Sequence, residues 1–506
     1  MTEPCGQPFF YGIADAILVR LAFREARLMK LTSTMLSLCI VLLLTGCFAK
    51  IQHLPAQPEH AASLFAPLQD QDLLVGLAVS GGGSRAATFA AGALEALAET
   101  VIQQGQTRRS VLETVSYMSS VSGGSLATAY YVAKKPPRSE PVLGVQGLSP
   151  RYREFFSAYT TAMQTNFQER AVVRQLAFFR ALNPTKLAYS LSEVWDGQFL
   201  DEMTFAQLYE RERRGDIPRV IFNGTVYNSG RRFAFTTLPA ADFEYDFIEI
   251  LTKELQKPDR PVPVTPEGMA IIQKGLDDAR RQFLPLTFER IGADYRNLRL
   301  SLAVATSASF PPVVGPVTYQ IAGSPTYLHI GDGGLFDNLG TESLTTLFLK
   351  KIPQGSPKRG LIIVIDTSFP FDAGAAELDQ NEKGFEVFRE DPSRIVGIME
   401  ERANTYQTLL WHSLRTEGVV LPDFAHLRIV VLKHVDADWT GYEDLPDVCR
   451  NDFRQDVTPT EIKQAVGLIP TLFKIKTPCH GALLLKAARK VVEQYRHRIV
   501  DFIEAH

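Results

Sequence analysis

Two stretches of this sequence follow one order, and that order narrows the possible folds more than any other feature. LLVGLAV (Leu73–Val79) runs straight into SGGGSR and then AATFAAGALEALAETVIQQG, where Ala90, Leu94, Leu97 and Val101 fall three or four apart. VSYMSSV (Val115–Val121) runs into Ser122-Gly123-Gly124-Ser125 and then LATAYYVAK. The short apolar runs predict strands, and the helical spacing after each glycine turn predicts a helix. Strand, turn and helix in succession predict an α/β fold with a mostly parallel central sheet and crossover helices on both faces. LIIVI (Leu361–Ile365) reads as a strand buried on both faces, and further strands are expected at Arg219–Val226 and Leu298–Ala305.

The 506 residues, 45% of them apolar, can fill a core and exclude wholesale disorder. With 53 basic against 56 acidic side chains the net charge is −3, which lacks the electropositive footprint of a nucleic-acid binder. Five cysteines are too few for a disulfide scaffold and form no paired C-x-x-C zinc pattern. With no H-E-x-x-H either, neither metal nor cofactor is expected. The expected organisation is an upstream segment and export signal over 1–46, a proline-bearing tether over 47–72, and the sheet domain over 73–368 with a helical insert at about 150–215. A mainly helical extension, 369–506, is expected to pack on that domain, and 371–391 reads as an acidic surface excursion.

Met35–Leu44 (MLSLCIVLLL) is apolar but for Ser37. Ten residues reach only about half way across a hydrocarbon core of roughly 30 Å, whereas a signal-peptide core needs about 7–15. The run ends in Leu44-Thr45-Gly46-Cys47, which resembles a bacterial lipoprotein signal: an aliphatic residue, two small residues, then the cysteine that takes lipid. That resemblance implies cleavage before Cys47 and membrane attachment through its lipidated thiol. With Phe48 rather than Asp next, it implies an outer-membrane lipoprotein facing the periplasm. Met29-Lys30 supplies a start and a positive flank, so the chain starts at Met29 or Met1. A buried helix that happens to contain Cys47 is the alternative. No later stretch approaches about 18 continuous apolar residues, so no transmembrane helix is expected.

Ser122 sits on a predicted tight turn between strand and helix. Such a turn thrusts its hydroxyl outward and aims the amino-terminal amides of the helix at the same spot. Gly123 and Gly124 allow backbone crowding that a side chain would block. Gly81-Gly82-Gly83, flanked by Ser84 and Arg85, leaves amides uncovered that can converge on an anion. A nucleotide phosphate and an oxyanion both fit that description. Ala86, however, stands where the dinucleotide fingerprint needs its last glycine, and no P-loop Lys-Ser/Thr follows. Asp332, before Gly333-Gly334, can reach across to a neighbouring loop. Its ordinary pKa of about 3.9 makes it a weak base for a serine, which a dry pocket would strengthen. Singly, each of the three is also an ordinary turn.

Together LAVSGGGSRA, SSVSGGS and GDGG, in this order, resemble patatin-like phospholipases and acyl hydrolases. Asn223-Gly224-Thr225 with Arg231-Arg232-Phe233, and Ala305-Thr306-Ser307-Ala308-Ser309-Phe310-Pro311, resemble two further segments of that family. The likeness spans about 73–368 and departs at Ser120, where the usual G-x-S-x-G elbow has its first glycine. The resemblance implies a three-layer α/β hydrolase with a serine–aspartate dyad and no catalytic histidine. Ser122 is then the nucleophile, Asp332 its base, and Gly82 and Gly83 the oxyanion-hole amides. Gly81, Ser84, Arg85, Gly123, Gly124, Gly333 and Gly334 support them, with Arg85 bracing the loop or meeting an anionic head group. The implied substrate is a phospholipid or lysophospholipid ester. An esterase for small soluble esters and a non-catalytic envelope-binding lipoprotein are the alternatives. The SGGGSR form also resembles cytosolic sn-2-cleaving phospholipases, although the chain shows no calcium-binding membrane domain.

Several residues keep two readings. Phe155, Phe156, Phe178 and Phe179 in the insert pack a core or form a lid over an acyl-chain pocket. His329 reads as structural from its alternating strand position, while His412, His426, His434, His480 and His497 leave a Ser–Asp–His triad open by chain order. Cys449 and Cys479 are a disulfide or two buried thiols.

Overall fold

The computed structural model describes residues 50–58, 63–105, 107–177, 185–245, 265–311, 313–352, 356–368, 401–403, 405 and 426–505. The export signal with Cys47, the pair Phe178 and Phe179, the 371–391 excursion and His412 lie outside the described residues.

The strands are β1 (Ile51–Leu54), β2 (Leu73–Val79), β3 (Val101–Gln104), β4 (Thr107–Ser110), β5 (Val115–Ser120), β6 (Arg219–Val226), β7 (Arg231–Thr236), β8 (Val317–Ile321), β9 (Leu328–Asp332), β10 (Arg359–Asp366) and β11 (Leu427–Lys433). Among the described residues, nine of them form one sheet in the order β1-β8-β9-β6-β5-β2-β10-β11, with β7 also paired to β6. β3 and β4 make a separate hairpin. From β6 through β5, β2 and β10 to β11 the strands are parallel. β7 and β9 run antiparallel to β6, and β8 antiparallel to β9.

Alternation along β2 and β10 divides their side chains between two cores. Leu74, Ala78, Ile362 and Val364 face one, while Val75, Leu77, Val79, Leu361, Ile363 and Ile365 face the other. Burial on both faces is why these strands read as unbroken apolar runs. The helices are α1 (Gly83–Glu99), α2 (Gly123–Lys134), α3 (Pro150–Met163), α4 (Phe167–Ala177), α5 (Thr185–Trp195), α6 (Phe205–Arg213), α7 (Pro266–Phe283), α8 (Leu300–Ser307), α9 (Gly334–Asp337), α10 (Thr341–Lys351), α11 (Pro459–Gly467) and α12 (Pro478–Glu504). α1, α2, α8 and α12 contribute to the larger core, and α10 sends Leu344, Leu347 and Phe348 into the smaller one. The result is a three-layer α/β fold. The carboxy-terminal helix α12 packs so closely on α1 that a Cβ at Gly92 would meet Ala488 Cβ at 3.0 Å. No described helix is long and apolar enough to cross a membrane.

Several elements differ from expectation. Leu298–Ala305 is not a strand: Leu300–Ser307 forms α8, buried throughout and packed against α2, β6 and β9. A fully buried apolar run lacks the periodicity that separates helix from strand, and the small side chains here fit a helix wedged between neighbours. The helix expected to run through Val101 stops at Glu99. There the Thr100 hydroxyl donates to Ala96 O at 2.9 Å, and β-branched Val101-Ile102 turn into the β3–β4 hairpin. Within the expected tether, Ile51–Leu54 joins the sheet edge parallel to β8, and Gln57 N–H donates to Gly292 O. The carboxy-terminal extension adds β11 beside its helices. Phe155 and Phe156 pack the core with Tyr130, Tyr152 and Tyr159.

Candidate active site

β7 occupies one edge of β6 along Ile221–Val226, so β5 and β9 share the other. They meet on it end to end. Ser120, the last residue of β5, lies opposite Phe222, and Asp332, the last of β9, lies opposite Gly224. Opposite strand directions thus bring the Ser122 turn and Asp332 together across Asn223. The Asn223 side chain ties the junction, donating to Ser119 Oγ (2.8 Å) and Ser120 O (3.0 Å) and accepting from Ser343 Oγ (2.6 Å). Ser307, at the end of α8, accepts from Ser122 N–H at 3.1 Å and donates to Asn223 O at 2.6 Å. Asp332 N–H donates to Ser309 O and Gly333 N–H to Ser307 O, so the same small-residue segment holds both sides of the junction.

Ser122 has φ 51° and ψ −119°, a left-handed conformation that costs a non-glycine residue about 1–3 kcal/mol. It is buried but for a small opening. Its glycine neighbours let two loops stack backbone on backbone. A Cβ at Gly123 would lie 1.9 Å from Gly83 O, and one at Gly81 would lie 3.4 Å from Ser122 Cβ. Gly82 and Gly83 themselves take φ 137° and 58°. On either side of them the loop is tied: Gly81 N–H donates to Asn338 O (2.9 Å) and Ser84 N–H to Leu472 O (2.7 Å). Among the described residues the amides of Gly82 and Gly83 donate to no protein group, and they lie at the positive end of α1, where an oxyanion is stabilised. Arg85 is buried and braces this loop, donating to Ile469 O (2.9 Å) and Thr367 O (2.7 Å).

Burial pushes the Asp332 carboxyl up from 3.8 to about 7, against the pull of the Gly334 N–H and the Ser122 hydroxyl. Oδ1 accepts from Gly334 N–H at 2.8 Å. Oδ2 makes no hydrogen bond of normal geometry, so the Ser122 hydroxyl is near enough to favour the charge but not yet bonded to it. Such contacts often tighten only when substrate binds. The Tyr227 ring covers Gly331, and burial together with the Asp332 charge raises its phenol to about 12. Tyr227, within reach of the Asp332 charge, and Leu335, three residues after Asp332, are partly exposed. Behind the turn, Asp337 accepts from the amides of Leu339, Gly340 and Glu342, and buried Arg232 lies 3.5 Å from Glu342.

Other singled-out residues lie apart. His329 pairs through Nδ1 with Thr318 Oγ1 at 2.9 Å. His434 is fully buried edge-on to Phe89, and burial with nearby Arg85 keeps it neutral. Among the described residues no histidine hydrogen-bonds Ser122 or Asp332. Cys449 and Cys479 form a disulfide. Among the described residues no group of three or more His, Cys, Asp or Glu is arranged to hold a metal ion. A polar cavity of about 400 Å³, lined by Asp70, Lys135, Glu212 and Arg219, opens at the amino-terminal ends of β2, β5 and β6, away from Ser122. Sequence reasoning missed Asn338 and Leu472, which act through backbone carbonyls. Ser307 was signalled only by the small residues around it.

The fold is a three-layer α/β scaffold that carries Ser122 on a strained turn between β5 and α2. The family model described as patatin-like phospholipase matches residues 77–345, more than half of the chain, and the chain belongs to that family. Solved structures of human GIVD cytosolic phospholipase A2 are similar in part. The complex with methyl gamma-linolenyl fluorophosphonate and terbium chloride is 14% identical with a TM-score of 0.37, and the complex with the fluorophosphonate is 16% identical with 0.38. A third structure of that protein is 13% identical with 0.35. Each match covers 87% of this chain but 61%, 60% and 64% of the other, so the chain spans about three fifths of their length. No curated protein sequence matches the chain.

Proposed function

We propose that the chain is a serine acyl hydrolase that cleaves carboxylic esters of membrane phospholipids or lysophospholipids through an acyl-enzyme. The observation that carries this is the end-to-end meeting of β5 and β9 on β6, with Ser122 and a buried Asp332 beside two free amides. Asp332 takes the Ser122 proton as Oγ attacks the ester carbonyl, and Gly82 and Gly83 hold the oxyanion. The protonated carboxyl then returns the proton to the leaving alcohol, and a water activated by Asp332 releases the fatty acid. A carboxyl titrating near 7 suits both transfers. The exposed surfaces of Tyr227 and Leu335 suit contact with an acyl chain. Lipid on Cys47 would hold the enzyme at the outer membrane, facing the periplasm. β1 begins four residues later, a leash of at most about 14 Å.

The test incubates the purified protein with defined phospholipids and lysophospholipids and identifies products by mass, alongside fluorophosphonate labelling. Ser122→Ala, folded, is expected to lose both lipid cleavage and labelling. Fatty-acid release by that variant, or labelling at another serine, overturns the assignment. Intact mass of the detergent-extracted native protein checks the anchor, and an unmodified Cys47 rules it out.

A further inference from the structure

The glycine loop is held by a part of the chain beyond the family match. Leu472 O accepts the Ser84 N–H (2.7 Å), and Ile469 O accepts from Arg85 Nη1 (2.9 Å). A Cβ at Gly83 would lie 2.4 Å from Leu472 O, so the two backbones are in direct contact. On its other side this strap is pinned to the helical insert. Phe473 O accepts from Gln168 N–H at 2.9 Å, and the Phe473 ring leans on Trp195 with centroids 6.1 Å apart. Ile469–Phe473 lies within the loop that the Cys449–Cys479 disulfide closes, cysteines 30 positions apart.

Gly82 and Gly83 have no side chains to anchor them, and glycine is the residue with the widest backbone freedom. Their amides keep one direction because the loop is tied at Gly81 to Asn338 O and at Ser84 to Leu472 O. The Asn338 tie comes from the Asp332 turn, inside the family match, the Ser84 tie comes from the strap, and Thr367 adds a third hold, donating through Oγ1 to Gly81 O (3.0 Å) and accepting through its carbonyl from Arg85 Nη2 (2.7 Å). Covalent closure of the 449–479 loop limits how far that strap can drift. We propose that Ile469–Phe473, cinched by the Cys449–Cys479 disulfide, is a positioning element of the oxyanion hole, so that acyl transfer at Ser122 depends on the disulfide. The rate consequence rests on the hydrolase function proposed above, whereas the hold on the loop does not.

The experiment compares the full chain with Cys449→Ala/Cys479→Ala and, with the disulfide intact, Phe473→Ala. Three readouts are the rate of Ser122 modification by a fluorophosphonate, kcat and KM on a soluble ester, and hydrogen exchange of the amides at 82–85. The expected result is a fall in modification rate and kcat of about tenfold in the double variant, part of what losing a whole oxyanion donor costs. Phe473→Ala gives a smaller fall, KM stays within about twofold, and exchange at 82–85 rises in both. Folded variants with unchanged modification and exchange overturn the proposal, as does a rise in KM with exchange at 82–85 unchanged. If the double variant fails to fold, Phe473→Ala decides by the same criteria. If the unaltered chain does not react with the fluorophosphonate, the hydrolase function falls, and the exchange at 82–85 alone decides whether the strap holds the loop.

Discussion

With Asp332 as the proposed proton acceptor, lowering the pH from 8 to 5 is expected to slow modification of Ser122 by roughly 100-fold, because that buried carboxyl titrates near 7. Asp332 is 2% exposed, and burial is the largest influence on it. Against that stand only the Gly334 amide and the Ser122 hydroxyl, both neutral, with no cationic side chain among the groups that stabilise the charge. At pH 8 most of such a carboxyl is ionised, and at pH 5 about one part in a hundred is. A carboxyl at its ordinary 3.8 would stay mostly ionised at both, and the rate would barely change. The assay is the second-order rate of inactivation by an uncharged fluorophosphonate from pH 4.5 to 9. The reagent does not titrate, so the limb reports the free enzyme. A single limb of unit slope with its midpoint near 7 is expected. A midpoint near 4, or the same limb in the residual reactivity of Asp332→Asn, refutes Asp332 as the base.

The same carboxyl sets a stability prediction of defined sign. Between about pH 4 and 7 the folded state keeps the Asp332 proton and the unfolded state has lost it, so stability falls as pH rises across that window, by about 4 kcal/mol in all. In urea unfolding, the stability of Asp332→Asn relative to the unaltered chain should therefore improve by about that amount from pH 4 to pH 8, any pH-independent cost of the amide cancelling. Parallel stability curves refute it. Ser122→Gly should be more stable than Ser122→Ala by about 1 kcal/mol or more, since only glycine relieves φ 51°. Thermal unfolding of the two variants checks this, and an alanine variant as stable as the glycine one refutes it.

The two glycine turns were legible in the sequence because they are local. An apolar run, a cluster of glycines and a helical spacing lie within about thirty residues or fewer in each case, and neighbouring residues decide a turn. Asp332 before Gly333-Gly334 was legible for the same reason. That it meets Ser122, 210 positions away, was decided only by β9 taking the edge of β6 that β5 leaves free. Its raised pKa is likewise a property of enclosure, which no side-chain type carries alone. The Leu298–Ala305 run was ambiguous because burial on every side erases periodicity, and α8 formed where its neighbours left room for a helix. Cys449 and Cys479 could be named, but their pairing depended on the start of α12 packing against the turn that holds Cys449. Asn338 and Leu472 hold the glycine loop with carbonyls, groups every residue has, so their identity left no trace to read. Local conformation is set by adjacent residues and can be read along the chain. Strand partners, burial and the aim of a backbone carbonyl arise from contacts between distant segments, and the fold alone decided them.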